Sequence, residues 1–146
     1  MSGQFQYDPK DVVVVYGALV LTGFADGTFV KVAMNEDDFG LKVGADGEGC
    51  RVRKRNKSAT VEVTLLQSSA SNAALSASRA LDIETPEGLL GKQLSITTSS
   101  GNTFFAAAAW IKKMPDVEFS KDVEHRMWVF EMIELEATIT GDLPLV

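Results

Sequence analysis

Cysteine and histidine are almost missing from this chain, with one of each, Cys50 and His125, in 146 residues. A lone cysteine excludes an internal disulfide and suits a reducing cytosol. Without a Cys/His cluster, the usual zinc sites are excluded as well. His125, in Glu124-His-Arg126 at a strand start, reads as a surface residue. A Ser-His-Asp arrangement would have to use it, and the Gly-x-Ser-x-Gly elbow is missing. Long apolar runs are also missing. Val12 to Leu21 is the longest, too short to span a bilayer and interrupted by Gly17. The first residues, Met-Ser-Gly-Gln-Phe-Gln-Tyr-Asp-Pro, have no basic-then-apolar signal pattern. An excess of basic residues is lacking too. Lys and Arg number 14 against 20 Asp and Glu, and the net charge of −6 argues against a dedicated nucleic-acid binder.

Apolar residues make up 45% of the chain and charged residues 23%, an ordinary globular balance in a length that suits one domain, 1–146, with a real core. Residues 1–10 read as a tail that orders on a partner. Val12 to Thr22 is apolar at both parities, which predicts a strand covered on both faces. Ala25-Asp-Gly27 is a hairpin turn signal, with Thr28 to Met34 as the return strand. Residues 69–84 hold the one helix, capped by Ser69 or Ser71, with Ala74, Leu75, Ser78, Leu81 and Asp82 on one face and Thr85-Pro86 and Gly88 at its end. Gln93 to Thr98 and Thr103 to Ile111 predict a hairpin around Ser99-Ser-Gly-Asn102. The run Ala106 to Ala109 reads as strand because Phe104-Phe105 and Trp110-Ile111 flank it. Val117 to Phe119 and Arg126 to Thr140 are the last strands. In the second, the apolar phase slips between Met132 and Ile133, which predicts a β-bulge or bend. The total is about eight strands and one helix, a mainly β, antiparallel fold.

Between Asp37 and Gln67 lies an extended arm. Phe39, Leu41 and Val43 alternate with Gly40 and Lys42. A turn-rich Gly44-Ala-Asp-Gly-Glu-Gly49 follows, then Arg51-Val-Arg-Lys-Arg-Asn-Lys57. Residues 44–58 are expected to form the arm loop, with Arg51, Arg53, Lys54, Arg55 and Lys57 as a basic tip. That run reads as a solvated turn, an electrostatic contact to another subunit, or a phosphate site. Glu36, Asp37 and Asp38 offer an acidic partner, and opposite charges at separated places allow head-to-tail stacking. Cys50 lies beside Arg51 and Arg53, the setting of an activated thiol, although a solvated or interface cysteine is the simpler reading. Asn35-Glu-Asp-Asp-Phe-Gly40 starts like a calcium loop but puts Phe39 at a ligand position and lacks the closing glutamate. Gly44 to Gly49 matches neither the P-loop nor the dinucleotide fingerprint. Nothing in the sequence requires a metal or cofactor.

The order of Tyr7-Asp-Pro9, Gly23-Phe-Ala-Asp-Gly-Thr-Phe29, Val43-Gly-Ala-Asp-Gly-Glu48, Thr64-Leu-Leu-Gln-Ser-Ser-Ala-Ser-Asn72 and Trp128-x-Phe130 resembles the tail tube proteins of contractile-tailed phages. The heavily basic arm departs from what the resemblance covers. The resemblance implies a β-sandwich or barrel-like subunit with one flanking helix and a long hairpin arm. It implies rings of six that stack into a tube, with inner strands of neighbours joined into one barrel. About 24 strands at ~4.8 Å spacing and ~40° tilt would give a backbone diameter of about 48 Å. That leaves room for duplex DNA, whose two groove depths together are ~16 Å. The polar phases carry Glu62, Glu134 and Glu136, which read as a solvated outer face or as a lumen lining that repels phosphate. The implied partners are other copies of the chain, a tape-measure protein, a sheath protein, and baseplate and tail-terminator proteins. DNA would be a passing cargo, and no membrane is involved. The implied setting is the virion tail, assembled in the host cytoplasm, with no enzymatic activity. A ring of a tailocin or type VI secretion device is the near alternative. A small β-barrel hydrolase or ligand binder is the distant one.

Overall fold

The computed structural model describes residues 12–25, 27–85, 91–98 and 101–140. The expected 1–10 tail, and the Pro86 and Gly88 stop signals, lie outside them. The elements are β1 (Val13–Tyr16), β2 (Leu19–Val20), β3 (Val30–Met34), β4 (Phe39–Val43), β5 (Gly49–Arg53), β6 (Ala59–Leu66), α1 (Ser71–Glu84), β7 (Lys92–Thr97), β8 (Thr103–Lys113), β9 (His125–Met132) and β10 (Glu136–Thr138). The fold is mainly β and antiparallel. One sheet runs β2-β1-β7-β8-β9-β6-β3, with β10 also on β8, while β4 and β5 form a separate hairpin.

The large sheet is rolled. The Tyr16 ring on β1 meets the Phe130 ring on β9 with centroids 5.0 Å apart, although two strands separate them in the sheet. Strict alternation drives this. On β6, Ala59, Val61, Val63 and Leu65 are fully buried while Thr60, Glu62, Thr64 and Leu66 are only half-buried. Val14, Leu94, Ala106, Trp128, Phe130 and Met132 complete the concave core, where each large apolar side chain contributes roughly 1.5–3 kcal/mol. The roll stays open, because β2 and β3 end the path without pairing to each other. The segment after β2 crosses toward β6 instead, where Phe24 bridges Leu65 and the Ala25 amide donates to the Thr64 carbonyl. A cleft of about 560 Å³, lined by Val12, Phe29, Val30, Val32, Ile96 and Phe104 among others, remains on the open side.

Several expectations need correcting. Val12 to Thr22 is not one strand. Gly17, at φ 64°, turns the chain so that Tyr16 pairs Leu19. Nor is it covered on both faces, since Val13 and Val20 are exposed. Thr28 to Met34 does not return along it but pairs β6, with Val32 opposite Val61; Asp26 of the expected turn lies outside the described residues. Val117 to Phe119 is not a strand but an exposed loop, whose Glu118 carbonyl accepts a bond from Arg126. On α1, Leu75 is buried but Leu81 is exposed, so the inward face is narrower than the apolar spacing suggests. Ala70 takes the N-cap position without a side-chain bond. Ser69 instead accepts from the Ser71 amide and donates to the Thr22 carbonyl, and the Ser71 hydroxyl accepts from the Thr22 amide.

Other readings hold. Ala106 to Ala109 is strand, and a register shift between the pairs Lys92–Ala109 and Leu94–Ala106 puts a bulge there. The phase slip after Met132 is a bend that carries β9 into β10. It buries Leu135 and leaves Ile133 exposed. The splits at Gly17 and at this bend raise the strand count above eight.

Candidate assembly surfaces

The arm is a hairpin built from the alternation seen in the sequence, with Phe39 opposite Arg53, Leu41 opposite Arg51, and Val43 opposite Gly49. Strand β5 occupies part of the stretch expected as loop 44–58. The turn is closed by the Gly44 amide on the Glu48 carbonyl at 2.8 Å, with Gly47 at φ +88°. One face presents Phe39, Leu41 and Val43, all exposed, Leu41 at 74%. Arg51 and Arg53 flank this stripe, and the Arg51 guanidinium stacks 4.5 Å above the Phe39 ring. The opposite face carries Gly40, Lys42, Cys50 and Val52. Cys50 therefore lies across from Lys42, on the other side of the hairpin from Arg51 and Arg53. The arm pairs with no strand of the large sheet.

The basic run is not at the tip. The tip bears Asp46 and Glu48, while Arg53, Lys54, Arg55 and Lys57 gather at the root. There they line a cleft of about 450 Å³ together with Asp38 and Phe39. The Lys54 amide donates to the Asp38 carbonyl at 2.8 Å, so Glu36, Asp37 and Asp38 stand next to the cations within one subunit rather than apart from them. Lys57 pairs with Glu134 at 3.9 Å.

The predicted acidic trio is only partly brought together. Glu62 sits on the convex outer face with Lys31 on one side and Val129 on the other. Glu136 is on the same face, beside Phe105 of β8. Glu134 occupies the bend and is tied to Lys57. The sequence reading missed Glu131, which lies between Thr60 and Trp110 on that outer face, diagonal to Glu62 at about 7–8 Å. Alternation on β9 was the signal that could have found it, since Trp128, Phe130 and Met132 point inward. Lys31 was not readable beside Glu62 without the strand pairing.

At the other end of the sheet, the loop from Met114 to Glu124 exposes Val117, Val123 and Phe119, the last at 83%. It is pinned at its middle and at its far end. The Glu124 amide donates to the Gln67 side chain at 3.1 Å, and Arg126, itself buried, donates to the Glu118 carbonyl at 3.3 Å. His125 follows directly, exposed and opposite Leu66. Among the described residues, no group of three or more His, Cys, Asp or Glu side chains has metal-binding spacing.

The sequence profile of the bacteriophage PhiTE tail tube protein family matches residues 12–140. Structural protein ORF10 of Pseudomonas phage KPP10 is 32% identical over 135 residues, covering 86% of this chain and 77% of that protein. The fold is shared with the tube-terminating cap of the anti-feeding prophage, at a TM-score of 0.62 and 8% identity, covering 96% of this chain and 95% of the other. It is shared also with the sheath/tube terminator of the extracellular contractile injection system PVC, at a TM-score of 0.61 and 9% identity, with 93% and 99% covered. With most of its length matched by the profile and by a phage structural protein, this chain belongs to the phage tail tube family represented by PhiTE.

Proposed function

We propose that this protein is the tube subunit of a contractile phage tail, building stacked rings and acting without catalysis. The observation that carries the reading is the arm, a hairpin whose apolar stripe of Phe39, Leu41 and Val43 stays exposed among the described residues. A surface of that kind is maintained for contact with another copy or partner. The open roll and β3, an edge strand among the described residues, fit the same reading, because a neighbour's strand removes an exposed edge. Rings of six would place equal heights of neighbouring subunits side by side. In that arrangement Glu36, Asp37 and Asp38 of one copy face Lys54, Arg55 and Lys57 of the next. The convex face with Glu62, Glu131 and Glu136 lines the lumen, with Glu134 at its margin. DNA then passes without the phosphate contacts that release counterions. Lys31 and Lys113 on the same face temper the repulsion. The tube assembles in the host cytoplasm around a tape-measure protein, inside a sheath, between baseplate and terminator.

Size-exclusion chromatography and negative-stain imaging of the purified chain test this. Long hollow tubes with a regular axial repeat are expected. A monomer at every concentration would overturn the reading. A second reading has its own support, since both structures named above are tube terminators or caps. On that reading the chain would cap a tube's end, and imaging would show rings that do not elongate.

A further inference from the structure

We propose that the arm of one copy docks on the Met114–Glu124 loop of a second copy, the axial contact of the stack. The inference rests on the stacked-ring reading and names the surface that receives the arm. Placement is the first argument. Strand β6 pairs β9 from Ala59–Met132 at one end to Leu66–His125 at the other. The arm enters β6 at the Ala59 end, and the loop enters β9 at the His125 end. Eight residues of strand separate them by about 23 Å. A projection at one end and its receptor at the other make a heterologous contact, which repeats without closing and builds a column.

Complementarity is the second argument. On the hairpin itself, Arg51 and Arg53 flank the apolar stripe, and from Phe39 to Arg53 three cations stand against two acids at the tip, a net of one positive charge. The loop has Asp116, Glu118, Asp122 and Glu124 against Lys121, a net of three negative charges. Both surfaces carry exposed apolar side chains inside those charges: Phe39, Leu41 and Val43 on the arm, and Val117, Phe119 and Val123 on the loop. Beside the loop, a cleft of about 280 Å³ lined by Met114, Val117, Trp128 and Ala73 of α1 can take a side chain from the stripe. The loop is also prepared as a receptor. Its backbone is held by Arg126 and Gln67 while Phe119 stays exposed. The acids at the arm's own root share its end of the sheet, so they suit a lateral contact rather than an axial one. Buried apolar area would hold the contact, and the opposed charges would set its polarity and register.

Charge exchange tests the contact. The variant Arg51→Glu/Arg53→Glu and the variant Glu118→Lys/Asp122→Lys are each expected to raise the critical concentration for assembly by about tenfold or more, with circular dichroism unchanged. All four changes in one chain are expected to bring it back to within about threefold of the parent, because each arm again meets an opposite loop. A second measurement needs no charge change. In a Cys50→Ser background, Leu41→Cys with Phe119→Cys should give a ladder of disulfide-linked chains on oxidation of tubes. Tubes from all variants at the parent concentration, with no ladder, would overturn the docking and leave the tube reading standing. Loss of assembly in the four-change chain, or no ladder from intact tubes, also overturns the docking. A parent chain that forms no stacks overturns both.

Discussion

At the residue scale, Gly91 and Tyr16 converge on the Ala109 backbone. A Cβ added at Gly91, which sits at φ +88°, would lie 2.9 Å from both the nitrogen and the oxygen of Ala109. The strand bulge is what brings these backbones so close. Gly91→Ala is therefore expected to destabilise the protein by more than about 2 kcal/mol, measured by denaturant titration. The Tyr16 hydroxyl donates to the Ala109 carbonyl at 3.3 Å. Lys92 on the bulge lies over the Tyr16 ring and donates to the Ser78 hydroxyl at 3.0 Å, linking the sheet to α1. Burial pushes the Tyr16 pKa above its ordinary 10.0, and the nearby Asp82 charge pushes it the same way, against a hydrogen bond with Ser78. The folded chain then holds this proton longer than the unfolded chain. Its contribution is fully present below pH 10 and is lost as the pH rises through the folded value. Melting temperature should fall above pH 10, and Tyr16→Phe should flatten that fall. An equal fall in the variant would mean that other groups cause it.

At the element scale, the helix and the arm are attached in opposite ways. Helix α1 begins where Ser69 and Ser71 bond the Thr22 backbone and where Asn72 joins two strands. Its amide donates to the Leu66 carbonyl at 2.8 Å, and its oxygen accepts the Trp128 indole N–H at 2.9 Å. Asn72→Ala strands both partners in a partly buried setting and should cost about 1–3 kcal/mol in thermal or chemical unfolding. Among the described residues the arm is held at its root, by the Asn35 amide on the Ser58 carbonyl, the Lys54 amide on the Asp38 carbonyl and the Leu135 amide on the Lys57 carbonyl. Replacing residues 39–53 by a Gly-Gly link should leave the monomer's melting temperature within a few degrees of the parent, because no core contact is removed. Arm amides should exchange rapidly in the monomer and become protected in tubes. Slow exchange in both states would contradict an arm that waits for a partner.

At the scale of the whole molecule, charge is sorted by place rather than by net sum. Cations gather at one end of the sheet, the acidic loop stands at the other, and Glu62, Glu131 and Glu136 share the convex side. If that side lines a channel, its field reaches about 8 Å at physiological salt. Replacing Glu62, Glu131 and Glu136 by Gln should leave assembly intact or strengthen it, yet slow DNA ejection from reconstituted particles. Ejection at the parent rate would remove these carboxylates from the lumen. Single changes among the exposed arm cations should each matter little, ~0–1 kcal/mol, so only multiple reversals should block polymerisation.

The sequence by itself determined which residues of β6 point inward, that Ala106 to Ala109 is extended, and that the last long strand slips phase after Met132. Each of these is a period-2 pattern or its interruption, carried by adjacent residues. Family membership was legible for a related reason, since ordered turns and strand ends persist along the chain. Only the tertiary structure decided that β3 pairs β6 and not the strands before it, which sets Lys31 beside Glu62. It also decided that Gly17 breaks the first run, that Val117 to Phe119 leaves the sheet, and that the basic and acidic segments share the arm's root. Alternation tells which face a side chain takes, but not which strand lies next to it. Neighbours, and hence the opposed ends of the molecule, come from how the rolled sheet buries its core as a whole.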